Sequence, residues 1–305
     1  MTQGTTRRPA DVRAAVAARL VGRGRELDLV LAAVAAGRDL VLEGPPGTSK
    51  TTLLRAITEE WGIPLLFVEG NADLTPAKLV GHHNPARVLR EDYSAENFVD
   101  GPLVEAMRRG GFLYIEEFNR APEDTLNTLL TAMADRRIEI PRVGEVVAGG
   151  TFRLIASMNP YDNIGTTRLS TSVHDRLCRL SIGYQDDAAE RGIVALRAGS
   201  GADGPLGPRL VADAVAVTRA TRTHRDVRQG SSVRGAIDLT LVARELAALR
   251  DADEDAYPGL VFDAMVVALS GRIHLDEAAD TTPEAVLTEI WEDQFVPVPA
   301  SAAPG

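Results

Sequence analysis

Lys50 and Thr51 close the octapeptide GPPGTSKT, Gly44 to Thr51, and the chemistry open to such a group is capture of a phosphate chain. Small residues let successive backbone N–H groups converge on phosphate oxygens, the Lys50 ammonium reaches the β- and γ-phosphates, and the Thr51 hydroxyl can ligate Mg²⁺. Gly44, Pro45, Pro46, Gly47, Thr48, Ser49, Lys50, Thr51 and Thr52 are thus the candidate nucleotide-binding residues. The pattern G-x-x-x-x-G-K-[ST] has a second glycine where this chain has Ser49. A serine there requires a backbone conformation tolerable to an L-residue and no close contact at its Cβ. Phosphate binding uses the main chain, so the change is expected to modulate the site rather than abolish it.

Two more groups have matching chemistry. The apolar run FLYI ends in Glu116 and Glu117, the place for an acid that holds Mg²⁺ through its water shell and a second acid that polarises an attacking water. The usual first acid is aspartate. Glu116 is one methylene longer, a length that a water-mediated contact absorbs because magnesium usually keeps several waters. FRLIASM then leads into Asn159, whose carboxamide could hold the nucleophilic water or the γ-phosphate. A bare Asn-Pro is also a plain turn, and two acids at a strand end are also a plain surface; the series gives them weight.

The elements that would position these residues are legible around them. DLVLE reads as a strand running into the loop, with a helix from near Lys50, and the helix adds its positive end to the phosphate site. Pro64–Val68, Gly111–Ile115, Phe152–Ala156 and Cys178–Ile182 are further runs of strand length with helical stretches between them, which predicts an α/β domain with a mostly parallel sheet. Upstream, DVRAAVAARL and GRELDLVLAAVAAG have helical spacing, the second closed by Gly37. Past Tyr184 only amphipathic helices are evident, punctuated by the loop Gly199–Pro208. The expected organisation is a flexible tail (1–9), an α/β nucleotide-binding domain (10–184), a smaller all-helical lid domain (185–278), and a C-terminal helix with a flexible tail (279–305).

Composition sets the outer limits. Of the 305 residues 45% are apolar and 25% charged, proportions of a globular protein with room for one large or two ordinary domains. The net charge of −10 counts against a chain whose main work is gripping nucleic acid, and the doublets Arg7-Arg8, Arg108-Arg109 and Arg136-Arg137 read as solvated surface. The single cysteine, Cys178, excludes an internal disulfide and reads as a small apolar residue beside Leu177 and Leu180. His82-His83 is a poor metal site, since adjacent side chains point apart. No stretch reads as a membrane span or signal peptide, and a cytoplasmic location is expected.

Together these residues resemble the AAA+ ATPases, specifically the MoxR branch near the magnesium-chelatase motor subunits, over roughly Val21 to Leu249. The phrases that carry the resemblance are VGRGRELDLVLAAVAAGRDLVLEGPPGTSKT, VDGPLVEAMRRGGFLYIEEFNRAPEDTLNTLLTAMADRRI, SMNPYDNIGTTRLSTSVHDRL and GSSVRGAIDL. The resemblance makes Lys50 and Thr51 Walker A, Glu116 and Glu117 Walker B, and Asn159 sensor 1, with Val21 and Gly22 beside the adenine. It also implies that Arg176 is an arginine finger reaching across a subunit boundary and that Arg234 is sensor 2 on the lid; Arg168 and Arg179 lie close enough to compete for the finger. Gly81–Asp100 would be the helix-2 insert and Ile138–Gly149 a hairpin before sensor 1, pore-facing or partner-facing in related motors and equally readable as surface hairpins.

What the resemblance implies is a homo-oligomeric ring, a hexamer, that hydrolyses ATP with Mg²⁺ and remodels, assembles or activates a client protein, together with a partner carrying a von Willebrand factor A domain. Ser49 and Glu116 motivate the alternative of a nucleotide-responsive scaffold that does not hydrolyse ATP. A DNA-acting motor is a further alternative, opposed by the acidic balance. A GTPase would need an N-K-x-D motif that the chain lacks.

Overall fold

In the computed structural model, residues 7–91, 93–160, 169–199 and 207–296 are described. Arg168, most of the loop Gly199–Pro208, the first six residues and the tail beyond 296 lie outside them. The chain divides into two units, Met1–Gly183 and Tyr184–Gly305, each with its own core.

The first unit runs α1 (Pro9–Ala17), α2 (Gly24–Ala35), β1 (Leu40–Glu43), α3 (Lys50–Trp61), β2 (Leu65–Glu69), α4 (Pro76–Val80), β3 (Gly81–His83), α5 (Pro85–Glu91), β4 (Phe98–Asp100) and α6 (Pro102–Arg109). It continues through β5 (Phe112–Glu116), α7 (Glu123–Asp135), β6 (Arg137–Ile140), β7 (Gly144–Val147), β8 (Arg153–Met158), α8 (Thr171–Arg176) and β9 (Cys178–Ser181). Five strands form one sheet in the order β2-β5-β8-β1-β9, and every pairing in it is parallel. Helices cover both faces, which is why the strands read as continuous apolar runs rather than alternating ones. Leu40, Leu42, Phe112, Tyr114 and Ile155 share a core with α1, α2 and α3, through Val12, Leu27 and Leu53 among others. The intervening residues Val41, Leu113, Ile115 and Leu154 face a second core that contains Leu103, Met107 and Leu129 from α6 and α7. The hairpin before β8 is β6 with β7, and β3 pairs with β4 inside the insert, both antiparallel.

Register places the site. Glu43 of β1 is opposite Met158 of β8, and Ile115 of β5 is opposite Ala156, so Gly44, Glu116 and Asn159 all emerge at the carboxyl edge of the sheet. That edge, where the order of an open parallel sheet reverses, is where ligands bind in such folds. The opposite edge carries a structural anchor. Asp39 is 4% exposed, accepts from the Leu154 N–H at 2.8 Å, and takes both terminal nitrogens of Arg136 at 3.2 and 2.7 Å. Burial pushes its carboxyl up from the usual range, against the pull of those donors.

The second unit contains α9 (Asp187–Ala198), α10 (Gly207–Ala220), β10 (Val227–Gln229), α11 (Val233–Arg250), α12 (Tyr257–Leu269), β11 (His274–Leu275) and α13 (Pro283–Phe295). Val286, Leu287 and Ile290 of α13 lie in the same core as Leu210, Leu239 and Leu260. Glu190, 2% exposed, is held by Arg219 and by Arg222, whose guanidinium lies 3.9 Å over the Tyr184 ring.

Four expectations need correction. The second unit is not all-helical, because β10 pairs with β11; strands of two and three residues are too short to show a period. The stretch 1–9 is not all tail: Arg7 bonds Glu60 at 2.6 Å, the Trp61 indole donates to the Arg7 carbonyl, and Pro9 opens α1. Arg136 is not simply solvated surface, being forked onto Asp39. Cys178, read as a small apolar residue beside Leu177 and Leu180, is exposed on the edge strand β9.

Candidate nucleotide site

The phosphate loop lies between β1 and α3, and its sharp course depends on Gly44 and Gly47. A Cβ at Gly44 would stand 2.0 Å from the Ile182 carbonyl oxygen, and Gly47 has φ +76°. The Gly44 N–H donates to the Met158 carbonyl at 3.1 Å, which ties the loop to the strand that leads into Asn159. Lys50 is 9% exposed, and its ammonium donates to the carbonyls of Gly44 at 2.8 Å and Pro45 at 2.9 Å and to Thr48 Oγ1 at 3.2 Å. The loop therefore holds the cation over its own carbonyls, ready to exchange these weak acceptors for phosphate oxygens.

Ser49 departs from the sequence expectation. It has φ +66° and ψ +20°, the left-handed region that a glycine fills without penalty, so the backbone is not one that an L-residue adopts freely. Although it is the N-cap of α3, its side chain makes no capping hydrogen bond. The course demanded by the loop prevails over the preference of the residue.

Thr51 and Glu116, 65 positions apart, meet directly: the Thr51 hydroxyl donates to Glu116 Oε1 at 2.9 Å. The Glu116 carboxylate thus closes directly on the loop hydroxyl. Glu117 has φ +52°, and its carboxylate is paired with Arg120 at 3.2 Å. Gly70, at the end of β2, donates its N–H to the Glu116 carbonyl at 2.7 Å, and a Cβ on it would stand 2.4 Å from the Glu117 carbonyl oxygen. Gly70 is thus required for the chain to pass under the two acids, a role with no signal in the sequence. Thr51 and Glu116 offer only oxygen, the donor type that suits a hard cation such as Mg²⁺, and Lys50 with the loop amides suits polyphosphate.

Tyr114 was legible only as an apolar-strand residue. Its hydroxyl lies 3.1 Å from Thr51 Oγ1 and 2.9 Å from Ser157 Oγ. Burial pushes the phenol up to about 12, so it stays protonated at neutral pH.

The arginines divide. Arg179 donates to Glu43 at 2.5 Å, and Glu43 is 3% exposed at the residue before Gly44, so Arg179 is committed within its own chain. Arg176 ends α8 exposed, its guanidinium donating to the Ser172 carbonyl at 3.0 Å. Arg234 is exposed in the first turn of α11, in the second unit. Val21 is half-buried, Gly22 has φ +66°, and the neighbouring Arg23, 4% exposed, donates to the Gly183 carbonyl at 2.8 Å. That bond pins the segment beside the carboxyl edge of the sheet.

Comparison with known proteins agrees with this geometry. A family model described as "AAA domain (dynein-related subfamily)" matches residues 39–177. Protein NorQ of Paracoccus denitrificans is 34% identical over 188 residues, 61% of this chain and 67% of that protein. The gas vesicle ATPase GvpN of Ancylobacter aquaticus is 26% identical over 248 residues, 75% of this chain and 67% of that protein. A RuvB variant of Thermotoga maritima shares the fold, with a TM-score of 0.53 at 20% identity over 81% of this chain and 71% of that one.

Proposed function

The chain belongs to the MoxR-type AAA+ ATPases, and on that premise we propose that it hydrolyses ATP with Mg²⁺ as a ring-forming motor that remodels, assembles or activates a client protein. The observation that carries the reading is the 2.9 Å bond between Thr51 and Glu116, which joins the phosphate loop to the acidic strand end. Thr51 and Glu116 would hold Mg²⁺, which would supply neutralisation of the phosphate charge that an attacking oxygen must approach.

The chain's own residues supply the remainder. Gly44 to Thr51 bind the phosphates, Lys50 moves from loop carbonyls to phosphate oxygens, and Glu117, released from Arg120, takes a proton from water. Asn159 orients that water, and Arg176 of a neighbouring copy stabilises charge on the transferring phosphoryl. Family resemblance gives Arg234 of the second unit the role of sensor 2. Family resemblance supports a hexamer and a partner with a von Willebrand factor A domain.

Steady-state ATPase assays of wild type, Lys50→Ala, Glu117→Gln and Arg176→Ala test this. Turnover in wild type, lost in the three variants, is expected. Equal background turnover in all four would overturn hydrolysis and favour the scaffold, the alternative that Ser49 in a left-handed conformation keeps in view.

A further inference from the structure

Four oxygen-bearing side chains lie in series behind the phosphate loop: Ser157 Oγ, Tyr114 Oη, Thr51 Oγ1 and Glu116 Oε1, with successive separations of 2.9, 3.1 and 2.9 Å. Their protons can be assigned from one end. A carboxylate only accepts, so Thr51 donates to Glu116. Its single proton is then used, so the 3.1 Å contact is a hydrogen bond only if Tyr114 donates to Thr51. Tyr114 has then spent its proton too, and Ser157 donates to Tyr114. The 3.5 Å separation of Tyr114 Oη and Glu116 Oε1 is too long to compete for that proton. Every hydroxyl donates once, and Thr51 Oγ1 retains one unused lone pair.

We propose that Tyr114, backed by Ser157, is a positioning residue of the magnesium site: its O–H turns the Thr51 hydroxyl toward Glu116 and leaves the free Thr51 lone pair for the metal. The inference rests on the ATPase reading and deepens it. Tyr114 and Ser157 are 0% and 1% exposed, so water cannot replace either hydroxyl at low cost. The geometry also explains how a glutamate serves at position 116. Its added length brings the carboxylate onto Thr51 itself, and the Tyr114 hydroxyl restores the orientation that this close contact would otherwise disturb.

The test is a Mg²⁺ titration of fluorescent ATP-analogue binding to wild type, Tyr114→Phe, Ser157→Ala and Lys50→Ala, with the affinity in EDTA as reference and melting curves to confirm folding. In EDTA, Tyr114→Phe and Ser157→Ala should bind within about twofold of wild type, since the loop amides and Lys50 are untouched. The Mg²⁺ concentration giving half of the gain in affinity should rise about tenfold in Tyr114→Phe and about threefold in Ser157→Ala, the scale of one lost hydrogen bond and of a loosened one.

A general structural loss would weaken EDTA binding and the Mg²⁺ response together, and that result overturns the proposal. So does an unchanged Mg²⁺ midpoint. If Tyr114→Phe does not fold, Ser157→Ala decides by the same criterion. Wild type that shows Mg²⁺-dependent binding, abolished in Lys50→Ala but unaltered in Tyr114→Phe, overturns this inference alone. Wild type that binds no nucleotide, or binds no better than Lys50→Ala, overturns the ATPase reading and this inference with it.

Discussion

Replacing Ser49 by glycine should make the protein more stable, and the size of the gain follows from the backbone. At φ +66° and ψ +20° the Ser49 Cβ crowds its own carbonyl, a penalty of about 1–2 kcal/mol for an L-residue. Glycine removes that penalty but gives the unfolded chain more freedom, which costs about 0.4–1 kcal/mol. No compensating bond is lost, since the Ser49 side chain makes no capping hydrogen bond to α3. The net expectation is a stabilisation of about 0.5–1 kcal/mol, or about 1–4 °C in the melting temperature of a domain of this size.

The assay is thermal unfolding of nucleotide-free wild type, Ser49→Gly and Ser49→Ala, followed by steady-state ATPase measurements on the same samples. Because the main chain does the binding, turnover of Ser49→Gly should stay within about tenfold of wild type, a barrier change under about 1.4 kcal/mol. Ser49→Ala separates strain from chemistry: it lacks the hydroxyl and keeps the strain, so it should melt close to wild type. A Ser49→Gly protein that melts below wild type would refute the strain argument. A turnover loss beyond tenfold shared by Gly and Ala would show that the hydroxyl has a direct role.

Three further outcomes are expected. Gly44→Ala should abolish measurable nucleotide binding and destabilise by about 1–3 kcal/mol or more, because the added Cβ meets the Ile182 carbonyl oxygen at 2.0 Å; wild-type affinity in a binding titration would show that the loop shifts freely. Arg179→Ala should lower the melting temperature by uncovering the buried Glu43 carboxylate, whereas Arg176→Ala should leave melting unchanged and lose turnover; the reverse pattern would move the finger to Arg179. Tyr114 gives a pH signature: its phenol is raised from 10.0 to about 12, so the native state holds that proton more tightly, and the stability it confers is present below pH 10 and lost between about pH 10 and 12. Alkaline denaturation should accordingly be shallower in Tyr114→Phe, by on the order of 2–3 kcal/mol across that window, and identical slopes would contradict the assignment.

The core strands were legible because burial on both faces leaves uninterrupted apolar runs, and the loop was legible because its glycines and lysine are adjacent in sequence. What joins distant parts was not. Asp39 with Arg136 is a pair 97 residues apart, and Glu43 with Arg179 is 136 residues apart, so neither has a local period or spacing that marks it. Nothing in the sequence marks any of these four residues singly as part of a pair. Tyr114 was hidden for another reason: inside FLYI a tyrosine satisfies the apolar pattern with its ring, and only the folded register shows its hydroxyl reaching Thr51. The sign of φ at Ser49 was equally hidden, because a serine in the loop implies nothing about whether the loop or the residue yields.

The two departures from the common nucleotide pattern therefore have different physical standing. At position 116 the longer acid is met by a Tyr114 hydroxyl and a Ser157 hydroxyl that complete a chain of donors ending at its carboxylate, so local rules are broken and repaired in one place. At position 49 the side chain gains no capping bond, and the strain stands uncompensated. The bond from Thr51 to Glu116, backed by Tyr114 and Ser157, is thus a local compensation that position 49 lacks. It also forecasts an asymmetry: glycine at 49 should be tolerated alone, whereas aspartate at 116 should draw the carboxylate back from Thr51 and lose Mg²⁺ affinity unless the residues behind it are changed as well.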